Sequence, residues 1–237
     1  MSDTTSASAT APSSTPTCPV GETRCRVIDE LITVREQVSE LTEQAHTDTL
    51  TGLANYRYFC QILDNEMERT QRTGQPTAMI IIDLDFFKKV NDTYGHEVGN
   101  QALIQTSRIL KDGVRKLDVP CRYGGEEFTV VLPSTNLLTG LQVAERLRKM
   151  IETTPLFADN QEIKLTASMG VNTYTSSDNK DTREAFIART DELLYQAKES
   201  GRNKVCAGIQ TDLQPKTIVT SDEKDALFGL FDSPEEP

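Results

Sequence analysis

Apolar side chains fall at Val27, Leu31, Val34, Val38, Leu41 and Ala45, in alternating steps of four and three, along a stretch from Cys25 to Ala45 that contains no Gly or Pro. This spacing is a heptad a/d seam on one helix face. It leaves Glu30, Arg35, Glu36, Glu40 and Glu43 in solvent and needs a second helix for its own burial. Two partners are open: a second copy of the chain, which makes residues 25–45 a homodimerising coiled-coil stalk, or the chain's own globular part. With barely three heptads, pairing through the seam alone is marginal.

Beyond Thr47 the period changes repeatedly. Helical spacing predicts helices over Tyr56–Gln71, Val98–Lys116, Leu138–Ile151 and Arg183–Glu199, the second with Leu103, Ile104, Ile109 and Leu110 among its apolar positions. A short helical turn is expected over Phe86–Asn91. Apolar and β-branched runs predict strands over Ala78–Leu84, Pro120–Tyr123, Glu126–Leu132, Ile163–Tyr174 and Asn203–Ala207. Gly124-Gly125 is the pair best suited to the positive φ angles of a tight hairpin, and Gly201 is placed to end the last helix in a left-handed cap. Residues 47–209 therefore read as one α+β domain, a mixed sheet with helices packed on it.

Composition narrows the function. The 237 residues carry 36 acidic against 25 basic side chains, a net charge of −11 that repels nucleic-acid phosphates, so nucleic-acid binding is not expected. The longest wholly apolar stretch, Ala78-Met79-Ile80-Ile81-Ile82, is far too short to span a bilayer, and the first residues lack the apolar core of a secretory signal. A cytoplasmic location is the expectation. Residues 1–21 are Ser, Thr, Ala and Pro almost throughout and are predicted to be disordered. Residues 210–237 form an acidic tail with one apolar island, Ala226–Phe231, read either as a docking peptide or as part of a disordered end. Five scattered cysteines do not form a disulfide framework, and the close pair Cys18 and Cys25 leaves a redox or metal role open.

Chemistry concentrates in three places. Asp83-Leu84-Asp85 ends the most apolar predicted strand, and Gly124-Gly125-Glu126-Glu127-Phe128 forms the predicted hairpin. Hard oxygen ligands from two elements at the mouth of a sheet suit Mg²⁺ held with nucleotide phosphates, whereas a solvent-facing acidic hairpin is the plainer alternative. On a regular strand Glu126 and Glu127 alternate faces, so both reach Asp83 only if the hairpin bends. Phe86-Phe87-Lys88-Lys89 opens a helical turn whose free N–H groups attract anions, and Lys198 and Arg202 near the end of the last helix add positive charge.

Four ordered segments, Asp48–Asn55, Asp83–Asn100, Arg122–Phe128 and Ser200–Asn203, resemble the GGDEF family of diguanylate cyclases in its GGEEF variant, and the similarity covers nearly all of residues 47–207. The resemblance implies a ferredoxin-like palm of the nucleotidyl-cyclase type, with a central, mainly antiparallel sheet. It also implies condensation of two GTP into cyclic di-GMP and two pyrophosphates across a dimer, with two Mg²⁺ per site and Mn²⁺ as a possible substitute. By position, Asp83 and the carbonyl of Leu84 match metal ligands. Glu126 matches the residue that completes the metal site and helps deprotonate the attacking hydroxyl, and it ranks ahead of Glu127, a second metal or transition-state group. Gly124 and Gly125 leave room for the nucleotide. Phe87, Lys88, Lys198 and Arg202 match its phosphate contacts, and Asn91, His96 and Asn100 its nucleoside contacts.

Asn100 departs from the aspartate usual in the family, which implies a weaker grip on guanine; Tyr56, where an arginine is common, is a milder departure. Arg115 and Asp118 resemble the family's product-inhibition site for cyclic di-GMP, with Arg146 as a contributor. A surface ion pair at i, i+3 is the plainer reading of that pair. Two other outcomes stay open: a silent module that binds GTP or cyclic di-GMP, and a cyclase with relaxed purine choice. The residues ahead of the stalk are too few and too polar for a sensor pocket, so a separate cytosolic protein gripping residues 22–46 is the expected regulator.

Overall fold

The computed structural model describes residues 26–158 and 161–208, with backbone alone at residues 39, 40, 43 and 44. The polar N-terminal tail, Cys18 and Cys25, and the acidic C-terminal tail with its apolar island lie outside the described residues. The elements in chain order are α1 (Arg26–His46), α2 (Tyr56–Thr73), β1 (Thr77–Leu84), α3 (Phe87–Tyr94), α4 (His96–Gly113), β2 (Val119–Gly124), β3 (Glu127–Leu132), α5 (Leu137–Thr153), β4 (Leu156–Ala158), β5 (Gln161–Ile163), β6 (Ala167–Tyr174), α6 (Arg183–Glu199) and β7 (Val205–Ala207).

Five strands form one sheet in the order β2-β3-β1-β6-β7. β1 runs antiparallel to both β3 and β6, and β7 joins β6 in parallel, so the sheet is mixed and mainly antiparallel, as the α+β reading expects. β1 is buried over its whole length because both faces are covered. Ala78, Ile80, Ile82 and Leu84 enter a core shared with Phe87, Val98, Leu103, Leu110 and Leu147 of α3, α4 and α5. Met79 and Ile81 enter a second core with Phe59 and Leu63 of α2 and Phe186 and Leu194 of α6. A continuous apolar run of this kind is what a strand covered on both sides requires.

Several boundaries differ from the sequence reading. The turn after β1 is a helix that runs to Tyr94 rather than Asn91, because the chain stops only at Gly95, at φ 87°. The next helix follows at once from His96 and ends at Gly113 rather than Lys116. The long strand expected over Ile163–Tyr174 is two elements: β5 pairs back on β4 as a separate hairpin, and β6 starts at Ala167. The last strand starts at Val205 rather than Asn203, because Arg202 and Asn203 both have left-handed backbones, φ 61° and 45°.

α1 carries its seam into solvent: Val27, Leu31, Val34, Val38 and Leu41 are each more than half exposed in the single chain, from 51% to 64%. Packing against the chain's own domain is therefore not what covers it. No helix among the described residues is long and apolar enough to cross a membrane. Cys60, Cys121 and Cys206 are free thiols, and burial pushes the Cys121 thiol up to about 12.

Candidate active site

Asp83 is the penultimate residue of β1, 7% exposed, and its register partner on β3 is Glu127. Directly opposed residues of an antiparallel pair share a face, so these two carboxylates look the same way. Glu126 is not bound by that alternation, because β3 begins one residue after it. Glu126 lies in the turn, where its carbonyl accepts the Leu84 N–H at 3.4 Å. The register shift between Arg122 and Gly124 supplies the bend that two carboxylates at one place require. Of the two hairpin glycines, Gly125 alone has a positive φ, 45°, while Gly124 ends β2 in ordinary backbone. A side chain added at either would meet nothing within 4 Å, so this edge is open.

The electrostatics are those of crowded anions. Burial, then the neighbouring charge of Asp83, raises the carboxyls of Glu126 and Glu127 above the ordinary range, with Lys198 working in the opposite sense. Burial also raises Asp83, against the opposing pull of Lys198. The Lys198 ammonium, on the last turn of α6, lies 2.7 Å from the Asp83 carboxylate. Among the described residues no three His, Cys, Asp or Glu side chains converge into a preassembled metal cage. The donor set nonetheless suits a hard divalent cation: oxygen ligands only, held close enough to repel, with an ammonium already neutralising one of them.

Phe87 and Lys88 form the first turn of α3, which contains no acidic residue, and their N–H groups belong to the helix end that attracts anions. Asn91 is mid-helix in α3. It lies against α4, where a Cβ on Gly99 would come within 1.9 Å of the Asn91 Oδ1. Gly99 thus makes room for Asn91, and only the glycine in an apolar helix face hinted at it. Asn100 is half-buried on the same helix, and His96 is exposed at its start.

The loop after α6 is pinned from beneath. Asp85, 6% exposed, accepts hydrogen bonds from Ser168 Oγ at 2.6 Å, Thr166 Oγ1 at 2.8 Å and the Asn203 N–H at 3.0 Å. Arg148 of α5 donates to the Asn203 side chain at 2.7 Å, and that side chain donates to Glu152 at 2.7 Å. This places Arg202 beside Asp83, within reach of its charge. On the far side of the hairpin, Arg122 donates to the Gly125 carbonyl at 2.8 and 3.1 Å and to both oxygens of Asp48 at 3.1 and 3.2 Å. Sequence reasoning assigned no role to Gly99, Arg148, Asp48 or Arg122, and named Asp85 only as part of an acidic run. Its signals, a lone carboxylate and isolated guanidiniums, do not reveal long-range partners.

Arg115 and Asp118 are joined through the backbone rather than as a surface ion pair. The Asp118 carboxylate accepts the Arg115 N–H at 2.8 Å, which leaves the exposed guanidinium for other partners. Both line an open cavity of about 270 Å³ with Gly52, Lys111 and Lys116. Arg146 donates to the Gly113 carbonyl at 2.7 Å, at the end of α4, two residues before Arg115.

A family model described as diguanylate cyclase, GGDEF domain, matches residues 45–204. The response regulator PleD of Caulobacter vibrioides (strain NA1000 / CB15N) is 41% identical over 172 residues, 73% of this chain and 38% of that protein. The diguanylate cyclase SiaD of Pseudomonas aeruginosa, solved in complex with its activator SiaC, is similar at a TM-score of 0.69 and 36% identity, over 77% of this chain and 70% of that one. The coiled coil and GGDEF domain of DgcB from Caulobacter crescentus, in complex with c-di-GMP, is similar at 0.71 and 26% identity, over 77% and 95%. The chain spans less than half the length of the curated relatives it matches, 38% and 45% for two of them.

Proposed function

Because the chain belongs to the GGDEF-domain family of diguanylate cyclases, we propose that it condenses two GTP molecules into cyclic di-GMP and two pyrophosphates, each nucleotide held by one chain of a homodimer. One observation carries the reading: Asp83, paired with the Lys198 ammonium at 2.7 Å at the end of a buried strand, raises the carboxyls of Glu126 and Glu127 by its charge, beside the point where the helix bearing Phe87 and Lys88 begins.

The triphosphate lies on the first turn of α3, and Lys198 and Arg202 neutralise it from the end of α6. The base points towards Asn91, His96 and Asn100. Asp83, the Leu84 carbonyl, Glu126 and Glu127 are the groups that would hold Mg²⁺, two ions per site with Mn²⁺ able to replace them. Bound divalent cations supply charge neutralisation at the phosphates and the departing pyrophosphate. Glu126 accepts the proton of the attacking 3′-hydroxyl at its carboxylate, and Glu127, the register partner of Asp83, is a second metal or transition-state group. Because the second nucleotide arrives on the partner, the exposed seam of α1 brings two loaded sites into range. A separate activator that grips α1 fits a seam too short to be firmly stable, and SiaD, a structural relative, was solved in complex with its activator SiaC. Cyclic di-GMP itself restrains the enzyme through Arg115, Asp118 and Arg146.

The test is incubation of the purified chain with GTP and Mg²⁺, with the products identified by mass. Cyclic di-GMP is expected from the wild type. Glu126→Gln should lower the rate at least about a hundredfold, the range for a positioned general base. Intact GTP after prolonged incubation with a folded, dimeric chain refutes the proposal.

A further inference from the structure

Phe86 is an anomaly. It precedes α3, is 63% exposed and has a left-handed backbone at φ 57°. A bulky side chain in that region is strained, and such strain gathers at functional sites. Among the described residues its ring meets the Arg202 guanidinium, whose Cζ lies 4.8 Å from its centroid. Arg202 also has a left-handed backbone, φ 61°, and its loop is held by the Arg202 N–H on the Ala197 carbonyl and the Asn203 N–H on buried Asp85. Two strained residues thus face each other across the phosphate turn.

We propose that the Phe86 ring is a seat that holds the Arg202 guanidinium over the phosphate turn before the nucleotide arrives, which makes Phe86 a positioning residue for the triphosphate. A guanidinium stacks through its face and donates hydrogen bonds through its edge, so it can rest on the ring and grip a phosphate together. A free arginine samples many rotamers, and one already seated loses less freedom when the phosphate binds. The inference rests on the GTP-site reading above.

The experiment compares wild type, Phe86→Gly, Phe86→Tyr, Arg202→Ala and the double variant Phe86→Gly/Arg202→Ala. It reads KM and kcat for cyclic di-GMP formation, GTP affinity with Ca²⁺ in place of Mg²⁺, and melting temperature. Glycine removes the ring yet suits the left-handed backbone, so folding is retained. Phe86→Gly should raise KM and the GTP Kd about two- to fivefold, the range of an exposed cation–π contact, with kcat within about twofold. Phe86→Tyr should restore both constants, and Phe86→Gly should add nothing once Arg202 is alanine. Wild-type constants in Phe86→Gly, failure of tyrosine to rescue, or an additive loss in the double variant overturns the seat while the GTP site stands. A folded wild type that neither binds nor converts GTP overturns the site reading and the seat with it.

Discussion

Asn100 stands on α4 one residue after Gly99, the glycine that lets Asn91 pack against the same helix. If the proposed site holds, both asparagines offer a base neutral amides only. A charge-assisted hydrogen bond is stronger than a neutral one by roughly 1 kcal/mol. Asn100→Asp should therefore raise the preference for GTP over ATP by about fivefold in kcat/KM; an unchanged ratio removes this residue from base selection. At this scale the sequence was informative about chemical types and poor about company. Asp83, Lys198 and Arg202 could be singled out from residue type and segment resemblance. The sharing of a face by Asp83 and Glu127 depends on strand register, and Glu126 joins them only because β3 starts one residue late.

The elements nearest the site are held by close backbone approaches. A Cβ on Gly170 of β6 would lie 2.3 Å from the Thr190 carbonyl and 2.5 Å from the Leu194 N, so α6 rests directly on the sheet there. Gly170→Ala should cost about 1–3 kcal/mol in urea unfolding, as overpacking does, and should also depress activity by displacing Lys198 and Arg202. A stable, fully active variant would show that α6 shifts freely. The loop between α1 and α2 is held electrostatically instead. Burial opposes ionisation of Asp48, but the Thr51 hydroxyl and N–H and the Arg122 guanidinium outweigh it and hold the carboxyl below its ordinary value. The stability gained is present above the unfolded value and is lost as pH falls through the folded one. Asp48→Asn should therefore be less stable at neutral pH and lose less between about pH 5 and pH 2 than the wild type, in denaturation midpoints across pH. Parallel pH curves would contradict this. Element existence was legible where the apolar pattern was strong, as in β1, α2 and α4. The β4–β5 hairpin was not, because Ile163, Leu165 and Ala167 continue one alternation across the break, while β5 pairs with β4 and β6 with β1.

For the whole molecule, the exposed α1 seam and the open Arg115 cavity define two levers. If pairing runs through Leu31 and Val38, Leu31→Lys/Val38→Lys should shift the protein concentration for half-maximal specific activity upward by at least about tenfold, since like charges replace a marginal seam. Overlapping curves, with mass measured by sedimentation, would place the dimer contact elsewhere. Arg115→Ala should leave initial velocity intact and raise the cyclic di-GMP concentration for half-inhibition by about tenfold or more, as expected for loss of a charged hydrogen-bonding group. Unchanged inhibition would clear the cavity of that role.

The junction between α1 and the domain is tied at several points. Asn55 donates to the Ala45 carbonyl at 2.8 Å, the His46 and Tyr58 rings stack at 4.2 Å, and the Asp48–Arg122 pair ends on the turn that carries Glu126. Those ties fix the rotational phase of α1 relative to the chemistry, like a key cut at one angle to its shaft. One residue inserted above the junction would turn the seam by about 100°. If the chains pair through the seam as proposed, such variants would still couple, with their nucleotides aimed past each other.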